Sequence, residues 1–249
     1  MDNKALTEKA TNTVNVICMK WGDKYSAKDV NTLHSMIKRH LKHKHRFVCL
    51  TDDTKDINPE VECFALPEIE VPADKAYSPW RKLGMFSKKI ADLTGKTLFL
   101  DLDIVILEDI DCFFDYADKF TIIENWTQKG RGIGNSSVYC FTIGKHNEVL
   151  EYYQNNTEEV TNKYNNEQIY LSLKIGDIKY WPDEWCRSFK RHCLPPYIIR
   201  YFKTPTCPKN AKIIVFHGNP KPEDAIKGGF FGSIFKYIRP TKWLLHHWC

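Results

Sequence analysis

Thr97-Leu98-Phe99-Leu100-Asp101-Leu102-Asp103-Ile104-Val105-Ile106-Leu107 is an apolar run broken by two carboxylates one residue apart. Runs of this length, rich in Leu, Ile and Val, belong to strands covered on both faces in a parallel sheet. A strand alternates its side chains between faces, so Asp101 and Asp103 share a face if the strand persists through them. If the strand ends there, they lie at its carboxyl edge, where open α/β sheets bind ligands. Two acids at the rim of an apolar core call for a cation. A divalent metal with oxygen ligands is the simplest one. A pair of acids in a loop or at a helix N-cap is the plainer reading of the same residues.

Outward from this run, the chain alternates strand-like and helix-like patterns. Residues 14–19 (VNVICM) read as a strand. Ser26 with Asp29 forms a capping box, and Val30, Leu33, Ile37 and Leu41 follow at helical spacing. Residues 47–51 (FVCLT) are the next strand, which completes a βαβ unit. Ser78-Pro79 opens a predicted helix whose apolar face is Trp80, Leu83, Phe86, Ile90 and Leu93, stopped by Gly95. Further strands are expected at 120–123, 137–143 and 213–216, and helices at 146–153 and 166–173. Residues 128–134 read as a mobile Gly-rich, basic loop, and residues 180–202 resist assignment. The pattern is that of an α/β fold. One domain is expected over 14–238, between a polar stretch at 1–13 and an aromatic, basic tail at 239–249.

Composition narrows the class. The chain has 249 residues, 43% hydrophobic, with a formal charge of +5, which is mild and fits an anionic ligand without demanding nucleic acid. The basic cluster at 38–46 has no interleaved aromatic residues, so it reads as a solvated helix end and no nucleic-acid partner is expected. Nine cysteines form no CxxC pair, and Cys18, Cys49, Cys63 and Cys140 sit inside apolar runs, as in a reducing compartment. Cys186, His192, Cys193 and Cys207 match no standard zinc spacing. Residues 1–13 lack the apolar core of a signal peptide, and no window is apolar enough to span a bilayer. A cytoplasmic protein is expected. In the tail, Trp243, Leu244, Leu245 and Trp248 among Lys242, His246 and His247 suit either peripheral contact with a membrane or packing on the domain.

A second strand, residues 213–216, ends in His217-Gly218-Asn219-Pro220-Lys221-Pro222. Two carboxylates, an imidazole and open positions suit Mn²⁺, with Mg²⁺ as the alternative. Such an ion neutralises a departing nucleotide diphosphate, Gly218 permits close backbone approach, and Lys221 adds a second cation. These residues together resemble a GT-A glycosyltransferase, and the glycogenin-type retaining group, glycosyltransferase family 8, most of all. The features that carry the resemblance are the DxD of LFLDLDIVIL, the FHGNPKP element at 216–222, Asn135-Ser136-Ser137-Val138-Tyr139, and Asn166-Glu167-Gln168.

The resemblance implies a Rossmann-like, mainly parallel central sheet with flanking helices and a small antiparallel annex. It also implies transfer of a sugar from a nucleotide diphosphate donor, UDP-linked, to a hydroxyl of a glycan, lipid-linked or protein acceptor with retention. Asp101, Asp103 and His217 would hold the metal. Met19, Lys20 and Tyr25 would border the nucleotide, Asp52 its base or ribose, and Lys82 the donor sugar or phosphate. Leu102 would line the donor site, Asn135 and Ser136 would touch the sugar, Glu167 or Gln168 would lie near the anomeric carbon, and Gly218 and Lys221 would bind the diphosphate. Ser137 stands where glycine is common, and Asn-Glu-Gln replaces an acidic pattern.

Two other functions fit parts of the same sequence. Asp101-x-Asp103-x-Val105 matches the signature of haloacid-dehalogenase-like phosphatases, with Asp101 as nucleophile and Asp177 with Asp183 as the late acidic motif. In that fold, however, the nucleophile follows the first strand, and here several elements precede it. A non-catalytic protein that binds nucleotide sugars would need the same cleft. An inverting transferase would need a carboxylate base, for which Glu167, Asp183 and Glu184 are the candidates.

Overall fold

The computed structural model describes residues 13–232 and 236–249. The polar stretch before residue 13 lies outside them. β1 (Val14–Lys20), α1 (Ala27–His40), β2 (His45–Thr51) and β3 (Glu62–Phe64) form the opening parallel unit, with β1 paired to β2 and β2 to β3. All seven residues of β1 are buried. Its alternation serves two cores. Val16 and Cys18 pack with Val30, Leu33 and Ile37 of α1, while Ile17 and Met19 pack with Leu83, Phe86 and Phe99 on the other face. The expected capping box is present, with the Ser26 N–H and Oγ both donating to Asp29 Oδ2, at 2.7 and 2.9 Å.

The apolar run at 97–107 is not one strand. β4 (Lys96–Leu100) pairs with β1 in parallel, and β5 (Ile104–Ile106) belongs to another sheet. The chain crosses between the sheets through a turn at 101–103, so the two acids lie at the carboxyl end of β4 rather than along a continuous face. The crossing is held at both ends. Asp101 N donates to Ser137 O at 2.9 Å, and Phe216 N donates to Asp103 O at 2.9 Å.

α2 (Asp111–Tyr116), β6 (Thr121–Glu124), β7 (Gly134–Thr142), α3 (Asn147–Asn155), α4 (Thr157–Lys163), α5 (Glu167–Ile175), β8 (Lys179–Tyr180), β9 (Cys186–Ser188), β10 (Ile213–Val215), α6 (Pro222–Lys227), β11 (Gly229–Phe230) and β12 (Tyr237–Ile238) complete the regular structure. The main sheet has the order β3-β2-β1-β4-β7-β6-β8. It is parallel except where β7 pairs antiparallel with β4 and β6. A second sheet orders β5-β10-β9, with β5 antiparallel and β9 parallel to β10, and β11 with β12 forms an antiparallel pair. The expected mixed, mainly parallel sheet with an antiparallel annex is therefore what the chain forms.

One further expectation needs correction, and two unassigned stretches gain structure. The helix foreseen from Ser78 to Gly95 is instead a tight 3₁₀ run over Pro79–Phe86, followed by irregular chain. Gly84 sits where a Cβ would come within 2.9 Å of Pro67, so the residue is chosen for close approach rather than helix propensity. Ile90 and Leu93 are buried nonetheless. Residues 157–163, for which no element was expected, form α4. The stretch at 180–202 contains β9 and a single wide turn over Phe189–Cys193.

The C-terminal tail is docked on the domain. Leu244 is fully buried, Trp248 nearly so, and Trp243 Nε1 donates to Pro205 O at 2.9 Å. Arg39 donates to the carbonyls of His247 and Cys249, each at 2.6 Å. Of Trp243, Leu244, Leu245 and Trp248, Leu245 alone is exposed. Among the described residues no helix is long and apolar enough to cross a membrane.

Candidate active site

The carboxyl ends of β1, β4 and β10 open into one cleft of about 480 Å³, which takes in Asp101, Leu102, Asp103, His217 and Gly218 together. Lys82, from the 3₁₀ run, reaches Asp101 with its ammonium 2.6 Å from Oδ1 and 2.8 Å from Oδ2. Burial works to lower the Lys82 pKa, but Asp101 and then Glu167 outweigh it, so the ammonium stands above the ordinary lysine value. Tyr25 Oη donates to Asp103 Oδ2 at 2.7 Å. Asp103 is only 7% exposed, and burial together with the neighbouring Asp101 pushes its carboxyl up to about 6. His217 Nε2 shares a 2.8 Å hydrogen bond with Ser188 Oγ, and its ring lies 6.0 Å from that of Trp126 in a stacked arrangement. Burial, then Lys190 and Arg191, lower the His217 pKa, which keeps its imidazole neutral at neutral pH.

The opposite wall comes from β7 and the start of α5. Asn166 caps α5 by accepting from Ile169 N at 3.1 Å, which fixes Glu167 and Gln168 at the cleft. Ser136 Oγ donates to Glu167 Oε1 at 2.6 Å. Gln168 Oε1 accepts from Asn135 Nδ2 at 3.3 Å and from Ser136 N at 3.4 Å, which leaves its NH₂ without a hydrogen bond among the described residues. Gly134 begins β7, and a Cβ there would come within 2.8 Å of Ile122, so the wall can stand this close to β6 only with glycine at that position.

Of the residues singled out from sequence, Met19, Tyr25, Lys82, Asp101, Leu102, Asp103, Asn135, Ser136, Glu167, Gln168, His217 and Gly218 line this one cleft. Lys20, Asp52 and Lys221 do not. Lys20 Nζ turns to Asp53 O at 3.4 Å, and Asp52 accepts from Gly22 N at 3.0 Å, so both shape the loop after β1. Lys221 Nζ donates to Lys24 O at 2.7 Å and lies 4.7 Å from the Tyr25 ring centre. The acids of the phosphatase reading are elsewhere. Asp177 pairs with Lys119, and Asp183 is held by Lys129 and Arg187, each at 2.7 Å. That last pairing also removes Asp183 as a base at this cleft.

Trp21, Lys24, Tyr77, Trp126 and Arg191 line the cleft without having been foreseen. Trp21 and Trp126 each lie just past the carboxyl end of a sheet strand, so the rule that placed the acids would have found them. Arg191 sits on the wide turn after β9, and no sequence pattern announces that turn.

The donor chemistry of Asp101, Asp103 and His217 fits a divalent cation: two carboxylates and a neutral imidazole at one cleft. A cation would also offset the charge that holds the Asp103 carboxyl so far up. In this arrangement each of the three has a protein partner. Among the described residues no three His, Cys, Asp or Glu side chains converge closely enough to hold an ion.

A sheet that changes direction at β7, with a cleft at its carboxyl edge and an acid-x-acid turn leading into a second sheet, defines the GT-A glycosyltransferase fold, and solved structures match it. Galactosyltransferase LgtC in complex with donor and acceptor sugar analogues aligns over 93% of this chain and 94% of that chain, with a TM-score of 0.59 and 13% identity. An active-site mutant of LgtC aligns over 84% and 89%, with a TM-score of 0.55 and 14% identity. The apo-form glycosyltransferase GlyE of Streptococcus pneumoniae TIGR4 gives a TM-score of 0.57 at 14% identity, and the match spans 94% of this chain but 59% of GlyE. The sequence matches no protein-family model and no curated protein. The likeness is therefore one of fold.

Proposed function

We propose that this protein is a glycosyltransferase that moves a sugar from a nucleotide diphosphate donor, with UDP as the expected nucleotide, to a hydroxyl of a glycan, lipid-linked or protein acceptor. The observation that carries the reading is the assembly, in one cleft at the carboxyl ends of β1, β4 and β10, of Asp101, Asp103, His217, Lys82 and the Asn135–Gln168 pair. The likeness of the fold to LgtC, solved with donor and acceptor sugar analogues, supports it.

The chain's own groups divide the work. Tyr25, Trp21 and Met19 at the end of β1 offer a surface for the nucleotide. Lys82 is a buried cation in a low-dielectric wall, where a fixed charge acts more strongly on a developing anion than it would in water. Asn135 and the Gln168 amide present polar groups to sugar hydroxyls. Glu167 is the one candidate base that lines the cleft, and it is tied to Ser136 Oγ and faces Lys82. That placement suits charge stabilisation at the reacting carbon better than proton removal from an acceptor, and so supports retention. Asp101, Asp103 and His217 would hold Mn²⁺ or Mg²⁺, which when bound supplies Lewis-acid neutralisation of the leaving diphosphate.

A donor screen tests this reading. Thermal-shift and donor-hydrolysis measurements over UDP-, GDP- and CDP-linked sugars, with Mn²⁺ and then with chelator, are expected to single out one nucleotide whose stabilisation and turnover fall when the metal is removed. A donor response indifferent to chelation would refute the metal assignment. No response to any nucleotide sugar would refute the function.

A further inference from the structure

Two lysines stand near the His217–Gly218 turn, and the structure treats them in opposite ways. Lys221, the lysine of the HGNPKP element, is satisfied away from the cleft by Lys24 O and the Tyr25 ring. Lys190 lies on the wide turn Phe189–Cys193 that continues β9. β9 runs parallel to β10, with Ser188 beside Val215, and the Phe189 ring stacks on Phe216 at 4.5 Å. This pairing delivers two side chains to the same turn: Ser188 Oγ to His217, and Lys190 Nζ to Gly218.

Lys190 Nζ is 3.5 Å from where a Cβ on Gly218 would sit. The turn has glycine there, at a φ of +67° that side chains rarely adopt, and among the described residues, chain neighbours aside, no other heavy atom lies within 4 Å of that Cβ position. Gly218 lines the cleft, and so does Arg191, the next residue along, whereas Lys190 itself is not among the lining residues and reaches the cleft's edge through Gly218. Lys190 is half-buried, yet among the described residues its ammonium makes no hydrogen bond or ion pair. Burial and Lys236 pull its pKa down, and Asp103 is the acid that acts against them. A half-buried, unpaired ammonium beside an open backbone turn is costly unless an anion meets it.

We propose that Lys190 is the cationic contact for the donor's diphosphate at the His217–Gly218 turn, the role the sequence motif assigns to Lys221. The proposal rests on the donor-binding reading above. It places the diphosphate between Asp101, Asp103 and His217 on one side and the β9 turn on the other, with Arg191 as a second positive charge at the rim. Lys190 is then a specificity-determining residue. It favours a nucleoside diphosphate over the nucleoside by a charge-assisted contact.

Calorimetric titration of UDP and of uridine, in Mn²⁺ buffer, separates the possibilities. Wild type, Lys190→Met, Lys190→Arg and Lys221→Ala are compared. Lys190→Met keeps the apolar stem and removes the charge. It is expected to weaken UDP binding about 10- to 100-fold, the range of one lost hydrogen bond to a charged group, with uridine binding and melting temperature unchanged. Lys190→Arg is expected to recover most of the loss, and Lys221→Ala to lose less than Lys190→Met. Equal losses for UDP and uridine, unaltered UDP binding, or a larger loss in Lys221→Ala would each overturn the proposal while the donor reading stands. If neither UDP nor any of GDP, CDP and dTDP binds the wild type, the donor reading itself fails and the proposal falls with it.

Discussion

Asp103→Asn is expected to reduce sugar transfer about 100- to 1,000-fold, the usual cost of one electrostatic group at a developing charge, and to leave the protein at least as stable as the wild type. The two halves of that result have one cause. Asp103 is buried beside Asp101, and its carboxyl is pushed up to about 6, above the value of an exposed aspartate. A raised carboxylate pKa means that the folded state disfavours the charged form. The unfavourable contribution is present above about pH 6 and is relieved as pH falls towards the ordinary aspartate value. Removing the charge at pH 7.5 therefore removes a strain, provided Tyr25 Oη keeps its acceptor in the asparagine oxygen. Melting curves without metal at pH 7.5 and pH 5, set beside initial rates with donor and acceptor, check both halves. A variant that melts well below the wild type at pH 7.5, or that transfers sugar at the wild-type rate, would contradict the placement of Asp103 as a functional rather than structural charge.

Lys82→Met is expected to act in the opposite sense on stability and in the same sense on activity. The Lys82 side chain is 10% exposed and that of Asp101 is 18% exposed, with Nζ in contact with both oxygens of the carboxylate. Glu167, also buried, lies close enough to raise the lysine further. Breaking a buried pair by removing one partner costs about 3–5 kcal/mol, because the other charge is left uncompensated. In a chain of this size that corresponds to a fall of roughly 6–20 °C in melting temperature. The double variant Lys82→Met with Asp101→Asn is expected to regain most of that stability but no activity, since the two residues are coupled in folding and jointly required at the cleft. Additive losses in the double variant would show that Lys82 is held by packing and not by the acids.

The run at 97–107 announced burial and two acids where a strand stops, and both features are present, at the end of β4, because burial on two faces leaves a plain mark in composition. His217 was found by the same rule, as a polar residue where an apolar strand stops. The division of the run between two sheets was not legible, since strand pairing depends on partners distant in sequence: β5 pairs with β10, more than a hundred residues on, and β4 pairs with β7. The helix expected over 78–95 failed because its apolar spacing marks burial, which holds for Ile90 and Leu93, and not the backbone path, which Gly84 and its contact with Pro67 redirect.

The site was legible where chemistry forces a residue type and illegible where a fold-specific turn supplies the group. Lys221 carried the motif, yet it faces Lys24 and Tyr25. Lys190 carried no motif, and only the parallel pairing of β9 with β10 brings it to Gly218. Tyr25, taken as a nucleotide neighbour, turns out to hold the second acid of the pair. A loop residue can be assigned to a site by spacing, but its hydrogen-bond partner is decided by the tertiary structure.

A crystal structure of this protein grown with UDP and Mn²⁺ would show where the donor sits. The account predicts the diphosphate at the carboxyl ends of β4 and β10, with the ion held by Asp101, Asp103 and His217 and the uridine against Tyr25 and Met19. A nucleotide bound anywhere else, or one bound in this cleft with its phosphates directed away from Asp103 and Gly218, would contradict it.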